Sequence, residues 1–137
     1  MADNLNEKQF HLMRELIQKH TALWRNRLPY LTKQQYSVLM VVASQPGIEQ
    51  KDLIEATAST KATLAELLKR MENKQLLIRT QSHEDKRRLF ISLTEKGQNI
   101  LKEAQPIVEN VDHSFLSRLS EDEQQQLQQL LNTMLHK

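Results

Sequence analysis

Apolar and aromatic side chains recur at steps of three and four residues along the start of the chain. From Leu5 to Leu28 this spacing predicts one long amphipathic helix, which Pro29 ends. The segment Thr32–Gln35 has the pattern of a capping box, and it opens a nearly all-apolar helix from Tyr36 to Ala43 that we expect to be buried. The pair Pro46–Gly47 ends this second helix.

Two shorter helices follow and are joined by a turn. The first covers about Glu49 to Ala56, and the second runs from a cap at Ser59 or Thr60 to about Asn73. The side chains expected to face inward are Leu53, Ile54, Leu64, Leu67, Leu68 and Met71. Two helices joined in this way predict a helix-turn-helix.

The pattern then changes to that of strands. Leu76–Thr80 and Arg88–Leu93 are rich in strand formers and flank a polar connection, so they predict a β-hairpin. Thr94 then caps a helix that extends to Leu119, and a second capping box, Ser120–Glu123, opens the last helix. A helix-turn-helix followed at once by a basic hairpin predicts a winged helix-turn-helix, whose helix fits the major groove of DNA while the hairpin reaches a neighbouring groove or the backbone.

The composition agrees with one globular domain of a mainly α class. The chain has 137 residues, 39% of them hydrophobic and 26% charged, and only two glycines and three prolines. The absence of cysteine excludes disulfides, thiol nucleophiles and thiolate metal sites. The longest apolar run is far too short for a membrane span, and residues 1–7 are too polar for a secretion signal, so we expect a cytoplasmic protein with no membrane partner.

Positive charge is concentrated in two parts of the sequence. Residues 59–88 hold eight Lys/Arg against four acids, a net charge of +4, and residues 14–33 also carry +4. A local basic excess is typical of proteins that bind polyanions, although an excess of this size also occurs on ordinary solvated surfaces.

The sequence shows no catalytic or metal-binding motif. No two of its five histidines are three or four residues apart, and His113 sits directly beside a carboxylate, that of Asp112. No phosphate-binding glycine loop, nucleophile elbow or spaced carboxylate pair is present. We therefore predict no cofactor, no metal and no enzymatic activity, with a small metal-dependent enzyme as the weakest alternative.

Several of these segments together resemble the MarR family of bacterial transcription regulators. They are Ser59–Leu64 at the start of the second short helix, Leu68–Lys74 before the first strand, the wing signature Asp85–Arg88, and Ile91–Gly97 after it. The resemblance covers essentially the whole chain and is greatest to the HosA-like branch of the family.

The resemblance implies a single MarR-type domain over residues 1–137. Residues 31–97 would form the DNA-binding winged helix-turn-helix, and residues 1–30 and 98–137 would supply dimerisation helices. The apolar residues that exceed the needs of a small winged-helix core are Leu5, Leu12, Leu16, Phe115, Leu116, Leu119, Leu127, Leu131 and Met134. A homodimer would bury them and hold two recognition helices about 34 Å apart on a double-stranded DNA operator. The alternative is that both ends fold back within one protomer.

DNA contacts are predicted for the recognition helix and the wing. The residues concerned are Ser59, Thr60, Lys61, Thr63, Glu66, Arg70, Lys86, Arg87 and Arg88. Hydroxyls and a lysine at the start of a helix suit base edges and phosphates. Glu66 departs from the family pattern, because many members have a basic or neutral residue there. A carboxylate near phosphate would weaken binding, whereas one that accepts a hydrogen bond from a cytosine amino group would add specificity. Gln75 stands where the family usually has glycine after the recognition helix, so this helix end must be strained or built differently.

The wing gives the most specific indication of DNA binding in the sequence. Asp85 lies two residues before Arg87, so the two can pair and stiffen the tip. Arg87 or Arg88 can then enter a narrow minor groove, and Lys86 can meet phosphate.

An effector site is predicted from the ring and cationic side chains of the first two helices. The residues are His11, Arg14, His20, Trp24, Arg27 and Tyr36. Such a set suits a small aromatic carboxylate or phenol, the effector class common in the family it resembles. Aromatic and histidine side chains at helical spacing also occur as plain core.

The leading hypothesis is a homodimeric repressor of a pseudo-palindromic operator, released by a small aromatic acid or phenol. The alternative is a winged-helix protein-interaction module without DNA binding, for which Glu66 and Gln75 are the motivation.

Overall fold

A computed structural model describes residues 5–57 and 59–136, except for the side chains of residues 5–7. Leu5, one of the residues predicted at the dimer surface, therefore has its side chain outside the described set. The elements, in chain order, are α1 (Leu5–Arg27), α2 (Lys33–Ser44), β1 (Ile48–Glu49), α3 (Gln50–Ala56), α4 (Lys61–Asn73), β2 (Leu77–Gln81), β3 (Leu89–Leu93), α5 (Glu95–Leu116) and α6 (Glu121–Leu135). The mainly α fold class and the hairpin wing are thus confirmed.

The predicted helix starts are confirmed by their capping hydrogen bonds. Thr32 and Ser120 each form a full capping box, with Gln35 and Glu123 respectively. Thr60 caps α4, because its hydroxyl accepts the amide of Thr63 at 3.2 Å.

The described residues form two compact units. One, the winged unit, is Leu28–Gln105; the other, the helical unit, comprises residues 5–27 and 106–136 of the described chain.

The winged unit contains a three-stranded antiparallel sheet in the order β1-β3-β2. The hairpin pairs Leu77 with Leu93 at its base and Gln81 with Leu89 towards its tip. The strand β1 was not predicted, and Glu49, expected at the start of a helix, belongs to it. A strand of two residues shows no alternation in sequence; Gly47 makes it possible, because its φ of 80° turns the chain and its amide donates to the carbonyl of Ile91.

The core of the winged unit lies between α2, α3, α4 and the sheet. Its fully buried side chains include Val38, Leu39, Leu53, Leu64, Leu68, Met71 and Ile91. The expectation that α2 would be buried throughout is wrong, because Met40 is 41% exposed and Ala43 is exposed too. An amphipathic helix on the outside of a small core buries one face only.

Gln75 ends α4 in a left-handed conformation, with a φ of 62°. Its amide donates to the carbonyl of Glu72, and the amide of Leu76 donates to that of Met71, which is the Schellman pattern. The chain therefore keeps the helix end that glycine usually provides, at the cost of a strained glutamine.

The helical unit consists of α1, the second half of α5, and α6. Trp24, Val108 and Val111 are its buried apolar side chains among the described residues, whereas α6, which is described throughout, buries none. The prediction that α5 reaches Leu119 is wrong by three residues, because the helix ends at Leu116. The amide side chain of Gln124 donates to the carbonyls of Leu116 and Leu119 and so satisfies the backbone at this end.

Candidate nucleic-acid interface and ligand-binding residues

The start of α4 presents polar side chains on the surface of the winged unit. Thr60, Lys61 and Thr63 are exposed, and the hydroxyl of Thr60 donates to that of Thr63 at 2.8 Å. Ser59 is half-buried, and its hydroxyl accepts a hydrogen bond from Thr57 at 3.0 Å. The structure thus brings the four predicted residues to one helix start, with all of them except Ser59 exposed.

Glu66 does not stand on α4 as an isolated negative charge. Its Oε1 lies 3.0 Å from Nη2 of Arg70, one turn further along the helix, and both side chains are exposed. Because the charges offset each other, the departure of Glu66 from the family pattern leaves the local electrostatics of the recognition helix nearly neutral at this point.

The wing tip is fixed by Asp85. Its carboxylate accepts hydrogen bonds from the Arg87 amide at 3.0 Å, from Nε of Arg87 at 3.1 Å and from Nη2 at 3.2 Å. These hydrogen bonds hold the pKa of Asp85 below its usual value, so the pair stays intact until the pH falls through that lowered pKa. Arg87 remains 91% exposed, so the pairing orients its guanidinium without burying it. Lys86 beside it is exposed as well.

Arg88 has different surroundings from Arg87. Its Nε and Nη2 both donate to Oε1 of Glu49, at 2.8 and 2.7 Å, and its guanidinium lies 5.2 Å from the ring centroid of Phe90. The hydrogen bonds from Arg88 hold the pKa of Glu49 below its usual value. Sequence reasoning missed this pair, because Glu49 is 39 residues away and the strand that carries it was not predicted.

Another ion pair, between Arg79 and Glu72, joins the hairpin to the recognition helix α4. Nε and Nη2 of Arg79 on β2 donate to Oε1 of Glu72 on α4, at 3.2 and 2.9 Å. The two residues are seven apart across a helix end, a spacing that gives no sequence signal until the position of the turn is known.

In the helical unit, His20 lies among aromatic and acidic side chains. Its Nε2 is 2.7 Å from Oδ1 of Asp112, and its ring is 6.2 Å from that of Trp24 and 5.6 Å from that of Phe115. Its Nδ1 is buried and has no hydrogen-bond partner within the described part of the chain. The sequence placed Asp112 beside His113, and it gave no indication of a pair with His20, which is 92 residues away.

The other predicted effector residues are more scattered. His11, Arg14 and Arg27 are exposed on α1, whereas Tyr36 is a half-buried residue of the winged unit. Two cavities of about 520 and 460 Å³ lie within the winged and helical units respectively, and none of the six predicted residues lines either of them. The described residues contain no group of three or more side chains able to hold a metal ion, and no helix among them has the length and apolar character to cross a bilayer.

Known proteins share this arrangement. The sequence profile of the MarR family matches residues 31–89. Transcriptional regulator HosA of Escherichia coli is 52% identical over 132 residues, which cover 96% of this chain and 98% of HosA. The chain belongs to the MarR family. It is therefore a winged-helix DNA-binding transcriptional regulator of the HosA-like branch and not an enzyme.

Two further MarR-type relatives extend the comparison. The homoprotocatechuate degradative operon repressor of Escherichia coli is 30% identical over 105 residues, 77% of this chain and 71% of the repressor. The structure of Bordetella bronchiseptica BpsR, whose DNA binding is regulated by 6-hydroxynicotinic acid, matches with a TM-score of 0.91 at 27% identity and covers 100% of this chain and 99% of that one. Against this MarR background, Glu66 and Gln75 leave the winged geometry intact, so the motivation for an interaction module without DNA binding is lost.

Proposed function

We propose that this protein is a homodimeric cytoplasmic repressor that binds a pseudo-palindromic operator and is released from it by a small aromatic acid or phenol. The observation that carries the proposal is the wing, where Asp85 holds the fully exposed Arg87 at the tip of a hairpin beside the recognition helix. An oriented cation costs less entropy on binding than a flexible one, and a narrow minor groove attracts arginine.

The recognition helix supplies base and phosphate contacts. Lys61 and Thr63 are exposed at the start of α4, where free backbone amides also favour phosphate. Lys86 adds a phosphate contact from the wing, and Arg70 is held on the same helix by Glu66. We also assign DNA contacts to Ser59 and Thr60, whose hydroxyls border the same helix start.

Dimerisation is supported by the apolar side chains of the helical unit. The exposed ones on α1, α5 and α6 are Phe10, Leu12, Leu16, Ile17, Leu116, Leu130, Leu131, Met134 and Leu135. A monomer that exposes so many large apolar side chains in one unit is unusual, and a two-fold pairing removes them from water.

The effector proposal rests on His20 and Trp24. A half-buried imidazole whose buried Nδ1 has no partner in the described chain, fixed by Asp112 and tilted against aromatic rings, is suited to a polar group on a small aromatic ring. The ligand named for BpsR, 6-hydroxynicotinic acid, is of this class. His11, Arg14, Arg27 and Tyr36 remain the proposed charged and phenolic contributors.

Selection from a random duplex library at defined salt tests DNA reading. The wild-type chain is expected to enrich an inverted repeat, and the double variant Arg87→Ala plus Arg88→Ala should bind the selected operator at least about tenfold more weakly, since one good groove contact is worth about 1–3 kcal/mol. The matched control is Arg25→Ala plus Lys19→Ala on α1, which removes two exposed cations of the helical unit. Equal losses in the two variants would mean that only net charge matters and would defeat the proposed role of the wing.

A screen of small aromatic acids and phenols tests the proposed release of the protein from its operator. Trp24 is the only tryptophan of the sequence, so an aromatic acid that binds near it should change the protein's fluorescence and raise its melting temperature through linkage. His20→Ala should abolish both responses to the same acid, whereas His83→Ala on the wing should leave them unchanged. A bound acid that leaves operator affinity unaltered would contradict the proposed regulation.

A further inference from the structure

Glu49 has an unusual position for a carboxylate, because it is largely buried against an arginine of the wing. It is the N-cap residue of α3, yet its side chain makes no capping hydrogen bond. The side chain is only 10% exposed and accepts two hydrogen bonds from Arg88 on a single oxygen, while its other oxygen lies 3.4 Å from Nζ of Lys51. One oxygen of the carboxylate therefore pairs with the wing, and the other lies near Lys51 of α3 without capping that helix.

The pair joins two segments at the base of the wing. Glu49 is opposite Phe90 in the register of β1 and β3, and Ile48 is opposite Ile91. The strand β1 is only two residues long, so backbone pairing alone holds it weakly. The Glu49–Arg88 ion pair, together with the contact of Arg88 on the Phe90 ring, therefore fixes the hairpin against the start of α3.

The two neighbouring arginines of the wing differ in how far their guanidinium groups remain available for contacts with DNA. Arg87 pairs with Asp85 inside the tip and is 91% exposed, whereas Arg88 is 51% exposed and directs both Nε and one terminal nitrogen to Glu49. A guanidinium engaged in this way is oriented towards the protein, and a phosphate would have to displace a carboxylate to bind it.

We propose that the Glu49–Arg88 ion pair positions the wing for operator binding, so that Glu49 is a positioning residue and Arg88 does not itself contact a phosphate. The inference rests on the proposed reading of DNA by the wing, and it assigns Arg88 a different part from the one expected from sequence. It also gives an acidic residue a favourable effect on the binding of a polyanion.

The direction of the change in operator affinity on removal of the Glu49 charge distinguishes the proposal from simple electrostatics. Removal of a negative charge from a DNA-binding surface ordinarily strengthens binding. If Glu49 positions the wing, Glu49→Gln instead weakens operator binding, by about tenfold, the size of one lost groove contact. Glu84→Gln is the matched control, because Glu84 is an exposed acid on the same wing and its removal should leave affinity equal to or higher than wild type.

Salt dependence distinguishes Arg88 from a phosphate contact. Lys86→Ala should lower the slope of log affinity against log salt by about 0.9, the value for one lost phosphate contact, whereas Arg88→Ala should weaken binding and leave the slope unchanged. The charge-swapped variant Glu49→Arg plus Arg88→Glu should recover most of the affinity that either single change loses.

A measurement without DNA keeps the inference separate from the proposed function. The Gly47 amide donates to Ile91 at 2.8 Å beside the pair, so its hydrogen exchange should become faster in Glu49→Gln than in Glu84→Gln at equal melting temperature. Faster exchange with no operator binding by the wild type would support the pair and defeat the proposed function. Unchanged exchange, tighter binding by Glu49→Gln, or a lower salt slope for Arg88→Ala would each overturn the inference.

Discussion

The winged and helical units of this chain differ in how far their apolar side chains are buried. Of the eighteen buried apolar residues that the described chain contains, fifteen belong to the winged unit and three, Trp24, Val108 and Val111, to the helical unit. Of the twelve large apolar side chains that are exposed in the same residues, nine belong to the helical unit. One unit has a complete core, and the other leaves much of its apolar surface in water.

This difference in burial suits the two units to different functions, DNA binding and pairing. The winged unit is folded around its own core, so its surface is available for charged side chains such as Arg87 and Lys61. In the proposed homodimer a second copy would cover the apolar surface of the helical unit and stabilise it, because burial of apolar area is the main favourable term in association. Pairing and DNA reading are thus assigned to different parts of one short chain.

The largest expected effect comes from a charge placed in the apolar surface of the helical unit. Leu131→Glu should convert a dimer to a monomer and lower operator affinity by about 100-fold or more, because the second half-site is then bound by a separate molecule. Sedimentation gives the mass, and a gel-shift titration gives the affinity. The matched control is Gln129→Glu, which adds the same charge to an exposed polar position of α6.

If Leu131→Glu remained a dimer with wild-type affinity, the apolar surface of α6 would not be the pairing surface. If Gln129→Glu also dissociated, the cause would be the added charge and not the loss of apolar contact.

An intermediate effect is expected inside the winged unit at Gly97. A Cβ atom on this residue would lie 2.0 Å from the carbonyl oxygen of Leu76, so Gly97→Ala forces the start of α5 away from the residue that precedes β2. We expect a loss of about 3 kcal/mol in the free energy of unfolding, the upper part of the range for overpacking. Chemical denaturation followed by circular dichroism measures it.

Gly47→Ala is the control for Gly97. Gly47 has a φ of 80° but no atom within 4 Å of its added Cβ, so only backbone strain of about 1 kcal/mol is expected. Gly97→Ala should lower DNA affinity while the dimer persists, since the helical unit is unaltered. Equal destabilisation by the two substitutions would show that the contact with Leu76 is unimportant.

The smallest effect is a gain at Gln75. Replacing a left-handed glutamine by glycine relieves strain but adds freedom to the unfolded chain, so Gln75→Gly should stabilise the winged unit by no more than about 1 kcal/mol. Operator affinity should be unchanged, because the Schellman hydrogen bonds are already made. A large gain in affinity would mean that glutamine distorts the recognition helix.

Local sequence features predicted most of the fold. The caps at Thr32, Thr60 and Ser120 specify helix starts through side chains within three residues, and alternating strand formers specify the hairpin. The pair of Asp85 and Arg87 was also predictable, because its two members lie within one turn of the wing.

Features that depend on distant contacts were not predictable in the same way. Glu49 meets Arg88, and His20 meets Asp112, only after strands and helices far apart in sequence have packed. The short strand β1 exists because β3 is beside it, not because of its own two residues. The resemblance to MarR proteins predicted where sites would lie, and these remain predictions; it did not predict distant partners such as Glu49 for Arg88 and Asp112 for His20.

The most direct test of the account is the number of protein chains bound to one selected operator, measured by native mass spectrometry or sedimentation at saturating protein. The account predicts two chains on each inverted repeat, with half-site centres about one helical turn apart. A saturated complex with one chain per duplex, or stable two-chain binding that survives Leu131→Glu, would contradict it.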